Sequence, residues 1–231
     1  MSLVARLFAR SPTKPSPGSV TPEVATGIAD FSSWFIGKEF SADWTSGHFP
    51  IWSSILMPMK SQAPKVLEIG SYEGFSALFF LNFFPNSSIV CIDPWDTSSM
   101  VPAIAELVPG AVEQYPLAEG RFDRNLQEFS DRLTKTRALS ADALAELGVK
   151  GERFDVIYVD GSHRRVDAYR DCTLAWPLLN KNGIMLIDDY EFGQRLSDEL
   201  KPKQGIDAFL LNIFYQHDEI HRGYQIAICK H

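Results

Sequence analysis

Lys65-Val-Leu-Glu-Ile-Gly-Ser-Tyr-Glu-Gly74 is the stretch that decides the fold. A short apolar run bounded by Pro64 enters a glycine-bearing turn, and Gly74–Phe84 then reads as a helix, so the segment is a strand, a turn and a helix. In an open parallel sheet, a nucleotide is held at the carboxyl end of such a strand. Dinucleotide folds want GxGxxG so that the backbone can approach a pyrophosphate, but Tyr72 stands where the second glycine belongs. NAD is therefore disfavoured. The pattern Glu-x-Gly-x-x-x-Gly suits a nucleoside ligand without a pyrophosphate, gathered by Glu68, Gly70, Ser71, Tyr72 and Gly74. The competing reading is a tight turn with no ligand.

Outward from this turn, short apolar runs alternate with helical segments, which argues for a parallel sheet with crossover helices. Five strands are expected at Lys65–Ile69, Ser88–Ile92, Thr134–Leu139, Phe154–Val159 and Gly183–Ile187. Helices are expected at Gly74–Phe84, Arg121–Arg132, Ala141–Leu147 and Arg164–Leu179, with another near Gly205–Tyr215. Tyr224–Cys229 is β-rich and fits a strand pairing antiparallel with the residues before it. Upstream, Thr21 and Pro22 open a helix carrying Val24, Ile28, Phe31, Trp34 and Phe35 at helical spacing, and Pro50–Lys60 forms a second. Residues 21–63 thus make a helical lead-in to one domain spanning 21–231. Residues 1–20 hold Arg6, Arg10 and Lys14, no acid, and a Pro/Ser/Gly-rich run, which reads as a flexible tail. A transit peptide has a similar composition but is usually longer. Thr97–Glu119 exceeds the usual connection of about 4–6 residues and is expected to be an insertion or lid over the ligand end of the sheet.

Composition narrows the function. A formal charge of −7, from 22 basic and 29 acidic residues, provides no electrostatic footprint for nucleic acid. No apolar run approaches the roughly 20 residues that a membrane span requires. Cys91, Cys172 and Cys229 lie far apart without zinc spacing, as reduced thiols of a cytoplasmic protein would. A small-molecule partner is the expectation, with homo-oligomerisation left open.

The second strand runs into Ile92-Asp-Pro-Trp95, which puts Asp93 where a carboxylate accepts both hydroxyls of a ribose. Pro94 and Trp95 offer apolar surface beside an adenine, or else plain packing. Ser140-Ala141-Asp142 forms a polar turn after the third strand, suited either to reading an adenine edge or to capping the next helix. Asp160 ends the fourth strand, and Asp188 and Asp189 end the fifth, so three carboxylates meet on one rim. Like charges so close need a proton or a cation, and an all-oxygen set suits magnesium or a similar hard ion. The alternative has Asp160 facing the cofactor while one of the pair caps a helix. His163, three residues past Asp160, is either a proton acceptor or a solvated capping side chain.

Val66–Gly74, Ile92–Trp95, Phe154–His163 and Leu178–Tyr190 together resemble the class I S-adenosylmethionine-dependent methyltransferases, over about Phe40 to the C-terminus. Asp160-x-x-His163 with Asp188-Asp189 resembles the branch containing macrolide-sugar O-methyltransferases and cephalosporin-hydroxylase-like proteins. The resemblance implies an α/β, Rossmann-like, seven-stranded and mostly parallel sheet, with helices on both faces and an antiparallel C-terminal strand. It also implies S-adenosylmethionine as cofactor, Mg2+ or Mn2+ at Asp160, Asp188 and Asp189, His163 as general base, and a hydroxylated small molecule as acceptor. A metal-independent O- or N-methyltransferase and a binding protein without turnover are the competing readings.

Overall fold

The computed structural model describes residues 30–96 and 111–231. Seven strands form one sheet: β1 Lys65–Ile69, β2 Ser88–Asp93, β3 Leu133–Arg137, β4 Phe154–Val159, β5 Leu179–Ile187, β6 His217–Arg222 and β7 Ile226–Lys230. The order is β3-β2-β1-β4-β5-β7-β6. β1 to β5 run parallel, and β7 pairs antiparallel with both β5 and β6. All five expected strands and the C-terminal antiparallel pairing are present. β5 begins four residues before its expected start.

Successive residues of the inner strands face opposite layers, which explains why these strands read as unbroken apolar runs. Val66, Ile89, Val156 and Ile184 enter one core, whereas Leu67, Val90, Ile157 and Met185 enter the other. The first core is packed by α1 (Phe49–Leu56), α2 (Phe75–Phe83) and α3 (Ala111–Leu126). Against the second lie α4 (Ser140–Val149), α5 (Arg165–Ala175) and α6 (Lys203–Asn212). α2 is buried nearly all round, with Phe79 against Phe49 at 4.4 Å and Phe83 at 5.3 Å between ring centroids. At about 1.5–3 kcal/mol for each large apolar side chain buried, this aromatic layer anchors the first turn of the nucleotide-type half.

Two helix expectations change. Of the helix expected from Thr21, residues 21–29 lie outside the described residues, and Ser32–Phe35 forms a single 3-10 turn. Phe31, Trp34 and Phe35 instead lie across Phe49, Phe75 and Phe79, so their spacing serves docking, not helix propagation. The crossover helix expected at Arg121 already runs from Ala111, so residues 111–119, assigned to the insertion, are helical. Pro116 and Gly120 disguise it, because proline forfeits a backbone hydrogen bond in a helix interior. Ala118, Phe122 and Leu126, four apart and fully buried, hold that helix to the core despite the proline. The remaining part of the expected insertion, 97–110, and the expected N-terminal tail lie outside the described residues. Among the described residues, no helix is long and apolar enough to cross a membrane.

The topology sets the site. Strand order reverses between β1 and β4, and clefts of open α/β sheets form at that switch, outside the carboxyl ends. The strand tips there are laced together: Gly70 N–H donates to Ile92 O, Asp160 N–H to Ile69 O and Asp188 N–H to Val159 O, at 2.8–2.9 Å.

Candidate active site

The turn after β1 is built by its glycines and one buried acid. Gly70 has φ +87°, and a Cβ there would meet the Asp160 carbonyl oxygen at 1.9 Å, so no side chain is possible where β1 passes β4. Gly74, at φ +81°, lies under Phe122 and Leu126 of α3. Glu68 is fully buried beneath the turn and accepts a hydrogen bond from the Ser76 hydroxyl at the start of α2. Burial raises its pKa. Its second oxygen and the Ser71 hydroxyl are buried without an aligned partner. Glu68 therefore supports the turn from below.

Asp93, at the tip of β2, is 4% exposed and has its carboxylate largely committed to the chain. Oδ2 accepts the Tyr72 amide at 2.9 Å, and Oδ1 accepts the Trp95 amide at 2.7 Å and the Tyr115 hydroxyl at 3.3 Å. Burial pushes its pKa up, against these hydrogen bonds. The carboxylate, expected to serve ribose hydroxyls, thus also latches the turns after β1 and β2 together. The latch accompanies strain: Tyr72 and Trp95 have φ of +43° and +45°. Trp95 is buried against Phe122 and donates its indole N–H to Tyr72 O at 2.8 Å, so packing accounts for it. Pro94 precedes it at the rim, half-buried.

Ser140 does not cap α4. Leu139 occupies the N-cap without a side-chain bond, and the Ser140 hydroxyl donates to Oδ1 of buried Asp171 at 2.7 Å. That acid, on α5, is what drew the hydroxyl away from the helix end. Ala141 and Asp142 continue the first turn of α4.

On the other side of the switch, Asp160, Asp188 and Asp189 do converge. Tyr158, the penultimate residue of β4, directs its hydroxyl to Asp160 Oδ2 at 3.0 Å and to Asp188 Oδ2. A phenol has one hydrogen, so it serves only one of two carboxylates at a time. Asp188 Oδ1 accepts the Asp189 amide at 2.7 Å. Asp189 has φ +58°, which turns its carboxylate back toward the rim, where Oδ1 accepts the Tyr224 hydroxyl at 2.7 Å. Its Oδ2 lies 3.0 Å from His163 Nδ1. That approach is off the hydrogen-bond axis, leaving Nδ1 buried without an aligned partner. We read the contact as charge proximity. Phe192 packs edge-on against the imidazole at 4.5 Å between ring centroids.

The electrostatics follow from crowding. Burial, then the neighbouring Asp188 and Asp189, push Asp160 well above the usual carboxylate range. Burial and Asp189 raise Asp188 to about 6. Asp189 goes the other way: burial would raise it, but His163, Tyr224 and His48 together lower it. Burial would lower His163, and the Asp189 and Asp188 charges outweigh it to give a net rise.

One atom each from Asp160, His163 and Asp189 lies within 4.8 Å of the others, a spacing able to surround a cation. The geometry thus groups His163 with two of the three acids expected to hold metal and ties Asp188 to Tyr158. Crowded carboxylates, a single shared phenolic hydrogen and an unaligned imidazole nitrogen together fit a divalent ion.

Two clefts open on this rim. One, of about 360 Å³, lies between the lead-in at Phe40–Thr45 and the turn at Gly70–Ser76, and it reaches Asp160. The other, of about 250 Å³, is lined by Asp160, His163, Asp188, Asp189 and apolar residues of α5, β5 and α6. Trp44 stacks on Tyr72 beside the first cleft. His48 stacks on Tyr224 at 5.8 Å. Sequence reading missed Tyr158, Tyr224, Gln225 and Tyr115. An aromatic inside a buried strand looks like core, and a hairpin tip carries no local signal of what it will touch.

A methyltransferase-domain family model matches residues 67–190, from within β1 to just beyond β5. The chain belongs to the methyltransferase-domain family. Among relatives, an O-methyltransferase, hkm8 of Aspergillus hancockii, is 28% identical over 131 residues, covering 57% of this chain and 44% of the relative. The methyltransferase domain therefore spans less than half the length of that protein. Among solved structures, MycE of the mycinamycin biosynthetic pathway, in complex with Mg, SAH and mycinamycin VI, is similar in fold at TM-score 0.57 and 18% identity. That alignment covers 86% of this chain and 52% of MycE. An O-methyltransferase from Bacillus cereus in complex with SAH aligns at TM-score 0.56 and 17% identity, covering 82% of each chain. This domain shares their Rossmann-like fold.

Proposed function

We propose that the domain transfers a methyl group from S-adenosylmethionine to a hydroxyl of a small molecule, assisted by a divalent cation. The observation carrying this reading is that Asp160 lines both clefts, so a donor in one and an acceptor in the other would meet beside it. S-adenosylmethionine carries its methyl on a sulfonium; Asp160 and Asp189, with Asp188 behind them, would hold a Mg2+ or Mn2+ ion, which would lower the pKa of a nearby hydroxyl. The turn at Gly70–Gly74 and the 360 Å³ cleft take the donor, with Asp93 offering its remaining acceptor position to the ribose once the longer Tyr115 contact yields. Pro94 and the Ser140–Asp142 turn border the adenine end. Asp160 orients both reactants, and much of the acceleration is positional. His163 takes the acceptor's proton. Asp189 beside Nδ1 favours the ring proton there and leaves Nε2 as the basic nitrogen. The off-axis approach of Nδ1 favours a second assignment, in which that nitrogen joins Asp160 and Asp189 as a ligand. The three free thiols fit a reducing, cytoplasm-like setting.

Calorimetric titration with S-adenosylhomocysteine and with Mn2+ tests donor and ion separately. Binding of both is expected, and Asp189→Asn should weaken Mn2+ binding while sparing S-adenosylhomocysteine. His163→Ala with unchanged Mn2+ affinity assigns His163 as base, and a parallel loss assigns it as ligand. Full methyl transfer after chelation would sink the metal-assisted reading in favour of a metal-independent transferase. Failure to bind S-adenosylhomocysteine would sink the reaction itself.

A further inference from the structure

We infer that the tip of the β6–β7 hairpin is the positioning element of the acid rim, with Tyr224 orienting Asp189 and Gln225 orienting Asp188. This inference rests on the metal-assisted reading and extends it to residues outside the matched 67–190 span. Asp188 and Asp189 are adjacent in sequence, so an extended backbone would send their carboxylates to opposite faces. The left-handed conformation of Asp189 avoids that, and a conformation so rare for a non-glycine residue must be held by its surroundings.

The hairpin supplies the hold. Tyr224 donates its hydroxyl to Asp189 Oδ1 at 2.7 Å, which presents Oδ2 to the side of His163 and Asp160. The Tyr224 ring is itself stacked on His48 from the lead-in. Gln225 is 4% exposed, and its Oε1 accepts the Trp52 indole N–H at 2.7 Å. An indole nitrogen can only donate, so this bond settles which end of the amide faces Trp52. The amide nitrogen is thereby left on the other side, buried without an aligned partner, and the antiparallel register that pairs Ile187 with Ile226 brings Gln225 opposite Asp188 at the next step. The Trp52 ring also packs on Tyr158 at 4.9 Å between centroids, and Tyr158 bridges Asp188 to Asp160. α1 with its N-cap residue and the hairpin tip thus hold the rim from behind, one through Trp52 and His48, the other through Gln225 and Tyr224. Hydrogen bonds of this kind orient carboxylate ligands and set metal affinity.

The test is Mn2+ affinity, read from free Mn2+ by electron paramagnetic resonance, alongside S-adenosylhomocysteine affinity and melting temperature. Tyr224→Phe removes one hydroxyl at a half-exposed tip and should weaken Mn2+ binding about tenfold, with the other two readouts unchanged. Gln225→Met keeps the volume but leaves the Trp52 N–H unpaired, so it should lower the melting temperature and weaken Mn2+ binding by a smaller factor. Wild-type Mn2+ affinity in Tyr224→Phe overturns the Tyr224 role, and in Gln225→Met the Gln225 role. A parallel loss of S-adenosylhomocysteine affinity in Tyr224→Phe marks general distortion and also overturns the inference. A wild-type protein that binds no Mn2+ overturns the metal-assisted reading first, and this inference with it.

Discussion

Asp93 at the tip of β2 and the Asp160, Asp188 and Asp189 group at the tips of β4 and β5 lie on one rim, yet they meet their burial in opposite ways. Asp93 is surrounded by donors from its own chain, two backbone amides and a phenol. The β4–β5 acids face one another: Asp160 and Asp188 share the Tyr158 hydrogen, one backbone amide reaches Asp188, the Tyr224 hydroxyl reaches Asp189, and an off-axis imidazole lies beside them. Donors from the backbone fix a carboxylate in place and stabilise its charge, whereas crowded carboxylates leave charge for something else to neutralise. The β2 side is therefore a preformed wall, and the β4–β5 side is where the proposed reaction would take place.

The sharpest break in this contrast is His163→Ala. Removing a true general base should cost about 10²–10⁴-fold in turnover of any hydroxylated acceptor that the wild-type domain methylates, with S-adenosylhomocysteine affinity retained. Undiminished turnover would move the chemistry away from the β4–β5 side. Asp93→Ala should have the complementary phenotype: S-adenosylhomocysteine binding weaker by about 1.5–3 kcal/mol, or some 10–100-fold, and a lower melting temperature because the Tyr72 and Trp95 amides lose their acceptor. Wild-type calorimetric affinity in that variant would place the ribose elsewhere.

The smallest effect concerns Asp171, a third kind of buried acid, 1% exposed behind Gly161. Burial raises its pKa from 3.8 to about 6, countered in part by Ser140 and Arg170 and reinforced by Asp167. A carboxyl whose folded pKa is raised favours the folded state when protonated. That contribution is complete below about pH 4 and is lost as pH rises through about 6. Asp171→Asn should therefore stabilise the domain by about 3 kcal/mol above pH 7 and by almost nothing near pH 3.5, as measured by urea denaturation. A pH-independent difference would mean that burial does not shift the Asp171 carboxyl, and a difference of opposite sign would mean that the fold holds it as a charge.

Much of this arrangement was readable in the chain itself. The turn residues Gly70 and Gly74, and the acids Asp93, Asp160, Asp188 and Asp189, occupy strand ends that short apolar runs announce, because a buried parallel strand needs apolar side chains on both faces. The helix through Pro116 was not readable, since its local preference opposes a helix and only the contacts of Ala118, Phe122 and Leu126 overrule it. Nor was the fate of Ser140, whose position suits a cap until Asp171, 31 residues away, comes within 2.7 Å.

What the amino-acid sequence determined by itself was the alternation of elements and the strand tips at which the acids stand, because periodicity and turn chemistry act between near neighbours. What only the tertiary structure decided was which partners those acids find. Tyr224 reaches Asp189 across 35 residues, and Trp52 reaches Gln225 across 173. Both meetings depend on β7 inserting between β5 and β6, and on α1 lying over the same sheet face as the Tyr158 ring. Side chains so distant in sequence are brought within hydrogen-bonding reach by strand order, which is set by the whole core and by no local run of residues.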